Sequence, residues 1–175
     1  MKNLRIHIFS IVALFISFML GFVPAQYLIN KHYLSKFKIF YWDEDPTLII
    51  CPSSNYKEDQ VIKSLEFWKE KGHYVGIVHK DSKGEICKSK RLNGFIFIRG
   101  DVGGVGPDSY AVTRRHTDRA KLVFAELQVP NSNIDMPLLL EHELGHAFGF
   151  THLNDNGHIM NESYHLIGKK FYYPK

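Results

Sequence analysis

The histidines of this chain are concentrated in residues 141–161, EHELGHAFGFTHLNDNGHIMN, which hold four of the ten. His142 and His146 are four residues apart, so on a helix both imidazoles project from the same face. Glu143 stands beside the first of them, where its carboxylate can reach a water molecule without being a ligand itself. This arrangement predicts a metal site, and imidazole ligands converging on a tetrahedral ion favour zinc.

The residues that follow the predicted helix supply a third ligand. Gly149 lets the chain leave the helix abruptly, because glycine adopts the left-handed conformation that such a turn requires. His152 comes three residues later and can return to the metal, while Met160, eight residues further on, could place its thioether beneath the imidazoles. Three protein ligands leave a fourth position open to water, which is typical of a catalytic zinc. His158 is interpreted as a turn residue, since a fourth protein ligand would close the site.

The stretch HELGHAFGFTH fits the pattern H-E-x-x-H-x-x-G-x-x-H, and with Met160 it resembles the metzincin metallopeptidases. The eight-residue step to Met160 is most similar to the matrixin branch, and the specific match covers residues 142–160. The resemblance implies an α+β, zincin-like fold. In it a twisted mixed sheet is packed by one helix from the N-terminal half and by the active-site helix. Its antiparallel edge strand, assigned here to residues 122–129, would border the cleft and bind an extended peptide.

The resemblance also implies a function, hydrolysis of peptide bonds by a zinc-dependent endopeptidase. His142, His146 and His152 would hold one zinc ion, and Met160 would support them from below. Glu143 would act as the general base toward a water molecule that the zinc activates, and would then pass the proton to the leaving amine.

The chain departs from the matrixin pattern at several positions. Leu153 stands where matrixins usually have Ser, and Glu162 stands where they have Pro. Only fifteen residues follow Met160, so the family's C-terminal helix is expected to be shortened or absent and the pocket wall to differ. Tyr164 is interpreted as an aromatic wall of the substrate pocket, with a role beside the zinc as the alternative. No propeptide of the family's cysteine-switch type is recognised, because Cys51 lies in a strand-like run.

Short apolar runs bounded by turn residues predict strands at residues 47–51, 74–79, 94–98 and 122–129. A helix is predicted between the first two, with Asn55 as cap, Glu58 in capping-box register and Gly72 at its end. This β-α-β order favours a parallel pair of strands covered by the helix. A second helix, capped by Asp135, is predicted to carry LLLEHELGHAF and to end at Gly149.

The segment RGDVGGVGPDSYAVTRR, residues 99–115, is rich in glycine and is predicted to be a loop. It lacks the GK[ST] of a phosphate-binding loop, which argues against nucleotide binding. Asp101 and Asp108, with nearby carbonyl oxygens, could hold a calcium ion, and an ordinary loop is the favoured alternative.

The N-terminal residues 1–25 differ from the rest of the chain. A basic head precedes Ile6–Val23, a run of 18 residues without Asp, Glu, Lys or Arg, which is just long enough to span a bilayer. The small residues that follow would also allow a signal peptidase to cut after Ala25. Both interpretations are open, with the anchor favoured, and both predict an exported protein that is either membrane-anchored or secreted. Residues 26–45 are interpreted as a connector and residues 46–175 as the metzincin-like domain.

Composition limits the remaining choices. A length of 175 residues with 45% hydrophobic residues suits one globular domain, which we expect to be a monomer. The net charge of +4 falls to +2 without residues 1–25, and no stripe of basic and aromatic residues is present, so a nucleic-acid partner is not expected. Cys51 and Cys87 could form a disulfide in an exported domain or remain two buried thiols.

Two other functions compete with the endopeptidase. The first is a catalytically weak scaffold that keeps zinc and binds a peptide, although the presence of Glu143 argues against it. The second is a protein with a purely structural zinc, which the three-ligand pattern disfavours.

Overall fold

The computed structural model describes residues 36–89, 92–100, 103, 105–106 and 109–174. The elements discussed below belong to one unit of the chain, Phe37–Tyr172. Two expectations concern residues outside the described part, namely the signal or anchor segment at residues 1–25 and the calcium pair Asp101 and Asp108. Among the described residues, no helix has the length and apolar character needed to cross a membrane.

In the described part of the chain, five strands form one mixed sheet in the order β2-β1-β3-β5-β4. They are β1 (Thr47–Ile50), β2 (Ile77–Lys80), β3 (Phe95–Arg99), β4 (Val112–Asp118) and β5 (Lys121–Gln128). β1 is parallel to β2 and β3, β3 is parallel to β5, and β4 is antiparallel to β5. The mixed sheet agrees with the predicted α+β class, and the parallel β1–β2 pair confirms the β-α-β prediction.

The antiparallel edge strand is β4, and its assignment to residues 122–129 was wrong. Those residues correspond to β5, which lies inside the sheet between β3 and β4. Most of β4, VTRRHTD, had been assigned to the end of a loop. Its side chains are partly or fully exposed. A strand is recognised in a sequence by alternating apolar and polar residues, and this alternation arises only when one face of the strand is buried. An exposed edge strand of this composition therefore gives little signal in the sequence.

Two helices, α1 (Glu58–Lys69) and α2 (Leu139–Ala147), pack on the sheet. The cap of α1 is Lys57 and not Asn55, because the side chain of Gln60 reaches back to accept a hydrogen bond from the Lys57 N–H. Helix α2 does not begin at Asp135. Residues 134–138 form turns, and the helix starts after Leu138 without a side-chain cap.

One face of the sheet packs against both helices and forms the main core. Trp68 of α1 is fully buried there, with its ring stacked on Phe150 at a centroid distance of 5.3 Å. Its Nε1 donates to the carbonyl oxygen of Glu141 at 2.7 Å, which links α1 to the residue that precedes His142. The sheet contributes Leu48, Ile50, Ile96, Ile98, Ala125 and Leu127 to this core.

The opposite face of the sheet carries a smaller cluster that contains the disulfide. Cys51 and Cys87 are bonded, with their Cα atoms 5.8 Å apart, so the alternative of two free thiols is excluded. The carboxylate of Asp81 accepts hydrogen bonds from the backbone N–H groups of Gly84 and Cys87, each at 2.9 Å. Asp81 thereby holds the loop that places Cys87 next to Cys51, the residue that follows β1.

Part of the segment interpreted as a connector is packed into this unit. Phe37 is 2% exposed, and its carbonyl oxygen accepts a hydrogen bond from Thr151 N at 2.8 Å. Ile39 N donates to the carbonyl of Gly149 at 3.1 Å, and the indole of Trp42 donates to the carbonyl of Ala147 at 2.9 Å. Residues 37–42 therefore fasten the chain just after α2, where it turns toward His152.

Candidate active site

The structure brings together the three histidines that the sequence singled out. His142 and His146 project from α2, and His152 returns after the turn at Gly149, whose φ of 97° is the left-handed conformation expected there. Nε2 of His146 lies 3.1 Å from Nε2 of His142 and 3.0 Å from Nε2 of His152. Among the described residues, this is the one group of three or more His, Cys, Asp or Glu side chains whose ligand atoms converge.

Backbone carbonyl groups orient two of the three rings. Nδ1 of His142 lies 2.8 Å from the carbonyl oxygen of Ile159, and Nδ1 of His146 lies 2.9 Å from that of Phe150. A carbonyl oxygen only accepts hydrogen bonds, so each Nδ1 carries the proton and each Nε2 presents a lone pair. Two lone pairs 3.1 Å apart repel each other unless a cation lies between them. The residues therefore fit a bound metal ion.

The histidines are also in the protonation state that a metal requires. Burial lowers the pKa of His142 to about 4 and lowers the pKa of His146 well below its ordinary value. Burial lowers the pKa of His152 as well, while the nearby Glu162 carboxylate opposes that shift. The rings are therefore neutral at pH 7, and a metal ion would not have to displace ring protons to bind.

The segment around Met160 lies directly beneath this helix. Met160 is fully buried, and its Sδ is so close to Gly145 that a Cβ at that position would lie 2.2 Å from the sulfur. The neighbouring Ile159 supplies the carbonyl that orients His142. His158 is buried and its Nδ1 accepts a hydrogen bond from Met160 N at 3.0 Å, which is the turn role expected of it.

Glu143 is buried beside the histidines, with 5% of its surface exposed. Its Oε2 accepts a hydrogen bond from Oγ1 of Thr113 on β4. Burial raises the pKa of Glu143 to about 7, and the bond from Thr113 acts in the opposite direction. A carboxyl group whose pKa lies near neutrality can both accept and release a proton at pH 7.

A cavity of about 710 Å³, called the cleft below, opens above these residues. Its lining includes residues 109–113 and Arg115, and α2 contributes Leu139 and three site residues. Residues 151–152, 162–165 and Ile167 complete the lining. The edge strand β4 therefore borders the cleft through Val112, Thr113 and Arg115.

The other residues considered in the sequence occupy different places. Tyr164 lines the cleft, its hydroxyl donates to the carbonyl of Pro137 at 2.9 Å, and its ring packs against Tyr110 with centroids 5.0 Å apart. Four further described histidines, which the sequence patterns did not single out, lie outside the group of three convergent histidines: His73, His79, His116 and His165.

Three residues near the site were missed in the sequence. Thr113 contacts Glu143, and Nη1 of Arg115 donates at 3.0 Å to the same Phe150 carbonyl that orients His146. Both are on β4, and the assignment of residues 99–115 to a loop hid them. Gly145 could have been noticed, because a glycine inside a helix is unfavourable by about 1 kcal/mol and usually marks a close contact.

Comparison of the chain with protein-family models, with curated proteins and with solved structures finds no match. What the residues can do follows from their own geometry. Three imidazoles converge, a buried carboxylate lies beside them, and all four side chains line a cleft bordered by an edge strand.

Proposed function

We propose that this protein is an exported zinc-dependent endopeptidase that hydrolyses peptide bonds in extended substrates. The observation that carries the proposal is the position of Glu143. A buried carboxylate with a pKa near 7 lines the cleft next to three imidazole nitrogens that could hold a metal ion. A purely structural metal site requires neither a neighbouring base nor a cleft.

Zinc is the metal that suits this ligand set best. Nitrogen ligands about 2.0–2.1 Å from a tetrahedral zinc ion lie about 3.3 Å from one another. The two Nε2 separations of 3.1 and 3.0 Å are close to that value. Neutral imidazoles suit zinc better than calcium or magnesium, which prefer oxygen ligands. Three protein ligands leave one position for water or substrate.

The protein residues have defined tasks in the proposed reaction. When bound, zinc acts as a Lewis acid and makes a water molecule a stronger acid. Glu143 would take a proton from water as the water oxygen adds to the peptide carbonyl carbon, and would give that proton to the amine nitrogen as the C–N bond breaks. His142 and His146 stay in position because the carbonyl groups of Ile159 and Phe150 hold their Nδ1–H groups.

Substrate binding is proposed to use the open side of β4. Within the described residues this strand pairs with β5 alone, and Val112 and Thr113 line the cleft. An extended peptide can add to such an edge through backbone hydrogen bonds. Tyr164 and Ile167, which also line the cleft, offer an apolar surface for one substrate side chain.

The resemblance to metzincins supports the same conclusion. The chain has both the sequence pattern from His142 to Met160 and a mixed sheet whose antiparallel edge strand borders the cleft. The peptide-binding scaffold without turnover remains the competing function, and it differs from the endopeptidase in one respect, the need for Glu143.

A cleavage experiment tests the proposal. The purified full-length protein is incubated with zinc and a mixed-sequence peptide library, and products are identified by mass spectrometry. We expect cleavage by the parent, loss of cleavage with zinc retained in Glu143→Ala, and loss of both in His146→Ala. Glu141→Ala is the matched control, because it removes a carboxylate from the same helix two residues away. Cleavage that persists in Glu143→Ala refutes the proposed base, and peptide binding without cleavage by the parent supports the scaffold.

Export is a separate part of the proposal. It depends on the apolar run Ile6–Val23 and the small residues before Ala25. The mass of the mature protein recovered from its producing cell distinguishes cleavage after Ala25 from an uncleaved anchor. Recovery of the full-length chain in a fraction without membranes contradicts both.

A further inference from the structure

Thr113 bridges the edge strand and the proposed base. Its Oγ1 donates to Oε2 of Glu143 and also lies 3.2 Å from the backbone carbonyl oxygen of Glu143. No other described hydrogen bond involves the Glu143 carboxylate. The metal ligands on either side are held by carbonyl groups, whereas the base between them is held by this hydroxyl.

We propose that Thr113 is a positioning residue that holds Glu143 with Oε2 occupied and Oε1 left to meet water. The inference rests on the proposed function, since it specifies how the base of that reaction is oriented. A glutamate side chain has three rotatable bonds, and burial alone does not select one orientation of its carboxylate. A donor fixed on a neighbouring strand does select one.

The placement of the Thr113 side chain follows from the sheet. Thr113 pairs with Leu127 of β5, which is fully buried. Side chains alternate along a strand, so Arg115 lies on the same face, and it too reaches toward the site by donating to the Phe150 carbonyl. One face of β4 therefore supports both the base and the carbonyl that orients His146.

A hydroxyl suits both states of the base during a proton transfer. When Glu143 is ionised, the Thr113 hydroxyl donates to Oε2. When Glu143 has taken a proton on Oε1, Oε2 is still an acceptor, so the Thr113 hydroxyl continues to donate to it. Neither state leaves the buried carboxyl group or the hydroxyl without a partner.

Two substitutions separate positioning from packing. Thr113→Val keeps the shape of the side chain and removes the hydroxyl, whereas Thr113→Ser keeps the hydroxyl and removes the methyl group. Thr117→Val is the matched control, because Thr117 is an exposed threonine on the same strand. For each full-length variant, kcat, KM, zinc content and thermal stability are measured, and crystal structures of the parent and of Thr113→Val are compared.

The expected result is a kcat about 10-fold lower in Thr113→Val with KM and zinc content unchanged, since a hydrogen bond to a carboxylate is lost. Thr113→Ser should restore kcat, and the crystal structure of Thr113→Val should show the Glu143 carboxylate turned away from β4. A normal kcat in Thr113→Val, or a Ser variant as slow as the Val variant, overturns the inference in favour of packing.

The crystallographic result also keeps this inference separate from the proposed function. If the parent cleaves no peptide, the endopeptidase proposal fails, and the orientation of Glu143 still tests Thr113. A carboxylate that stays in place without the hydroxyl shows that Thr113 does not position it.

Discussion

Gly145 offers the sharpest test of how the helix and the Met160 segment fit together. It lies in α2 between His142 and His146. A Cβ added there would lie 2.2 Å from Met160 Sδ and 2.6 and 2.9 Å from two ring carbons of Trp68. Both neighbours are fully buried, so neither can move into solvent. We therefore predict that Gly145→Ala destabilises the protein, although alanine favours a helix.

Two opposing effects determine the size of the change. The helix propensity of alanine stabilises the substitution by about 1 kcal/mol relative to glycine. Forcing an additional methyl group into a packed core destabilises by about 1–3 kcal/mol, and contacts under 3 Å belong at the upper end of that range. We expect a net loss of about 1–2 kcal/mol in the free energy of unfolding.

The assay is urea unfolding of the zinc-loaded protein, followed by a double-mutant cycle. Met160→Ala is expected to destabilise by about 2–4 kcal/mol because it leaves a cavity. Combined with Gly145→Ala it should cost less than the sum of the two single changes, since the methyl group then occupies part of that cavity.

One result refutes this reasoning. If Gly145→Ala stabilises the protein by about 1 kcal/mol, helix propensity is dominant and the space beneath α2 is open. Additive effects in the cycle would likewise show that Gly145 and Met160 do not press against each other.

The remaining predictions concern pH, specificity and the disulfide. Burial, aided by the ammonium group of Lys38, lowers the pKa of His73 from 6.5 to about 4. As the pH falls, His73 is therefore protonated in the unfolded chain before it is protonated in the folded chain. Its contribution to the free energy of unfolding is complete above pH 6.5 and is lost as the pH falls toward 4. Urea unfolding across that range should show a smaller loss of stability in His73→Gln than in the parent. Glu162 is exposed at the cleft. Peptides that place a lysine near Glu162 should therefore be cleaved about 2–5-fold faster than peptides that place a glutamate there, and Glu162→Lys should reverse this preference. Replacing Cys51 and Cys87 by alanine opens a loop with a sequence separation of 36 and should lower the free energy of unfolding by about 3–4 kcal/mol.

Each of these predictions has a contradicting result. Equal pH dependence in the parent and in His73→Gln would remove His73 from the acid response. Equal cleavage of lysine and glutamate peptides would show that Glu162 does not face bound substrate. Unchanged stability without the two cysteines would mean that the unfolded chain is already restricted in that region.

The metal ligands could be predicted from the sequence because their geometry is local. His142 and His146 share a helix face by their spacing alone, and Gly149 reverses the chain soon enough for His152 to return. The elements β1, β3 and α1 were predictable for a similar reason, since the apolar runs of the two strands and the apolar face of the helix are local patterns.

The surroundings of the ligands could not be predicted because they depend on contacts distant in sequence. Thr113 reaches Glu143 across 30 residues, and Trp68 reaches the Glu141 carbonyl across 73. Strand β4 was not predicted because its side chains are exposed. Residues 37–42 were interpreted as part of a connector, and they form hydrogen bonds with the chain just after α2.

By itself the sequence determined which residues could bind a metal and which acid stands beside them, because spacing along one helix and one turn is set by backbone geometry. Only the tertiary structure decided which strand borders the cleft, what orients each imidazole and what holds Glu143. Those properties depend on which distant segments come into contact when the core is buried, and these contacts cannot be predicted from a motif or a periodicity.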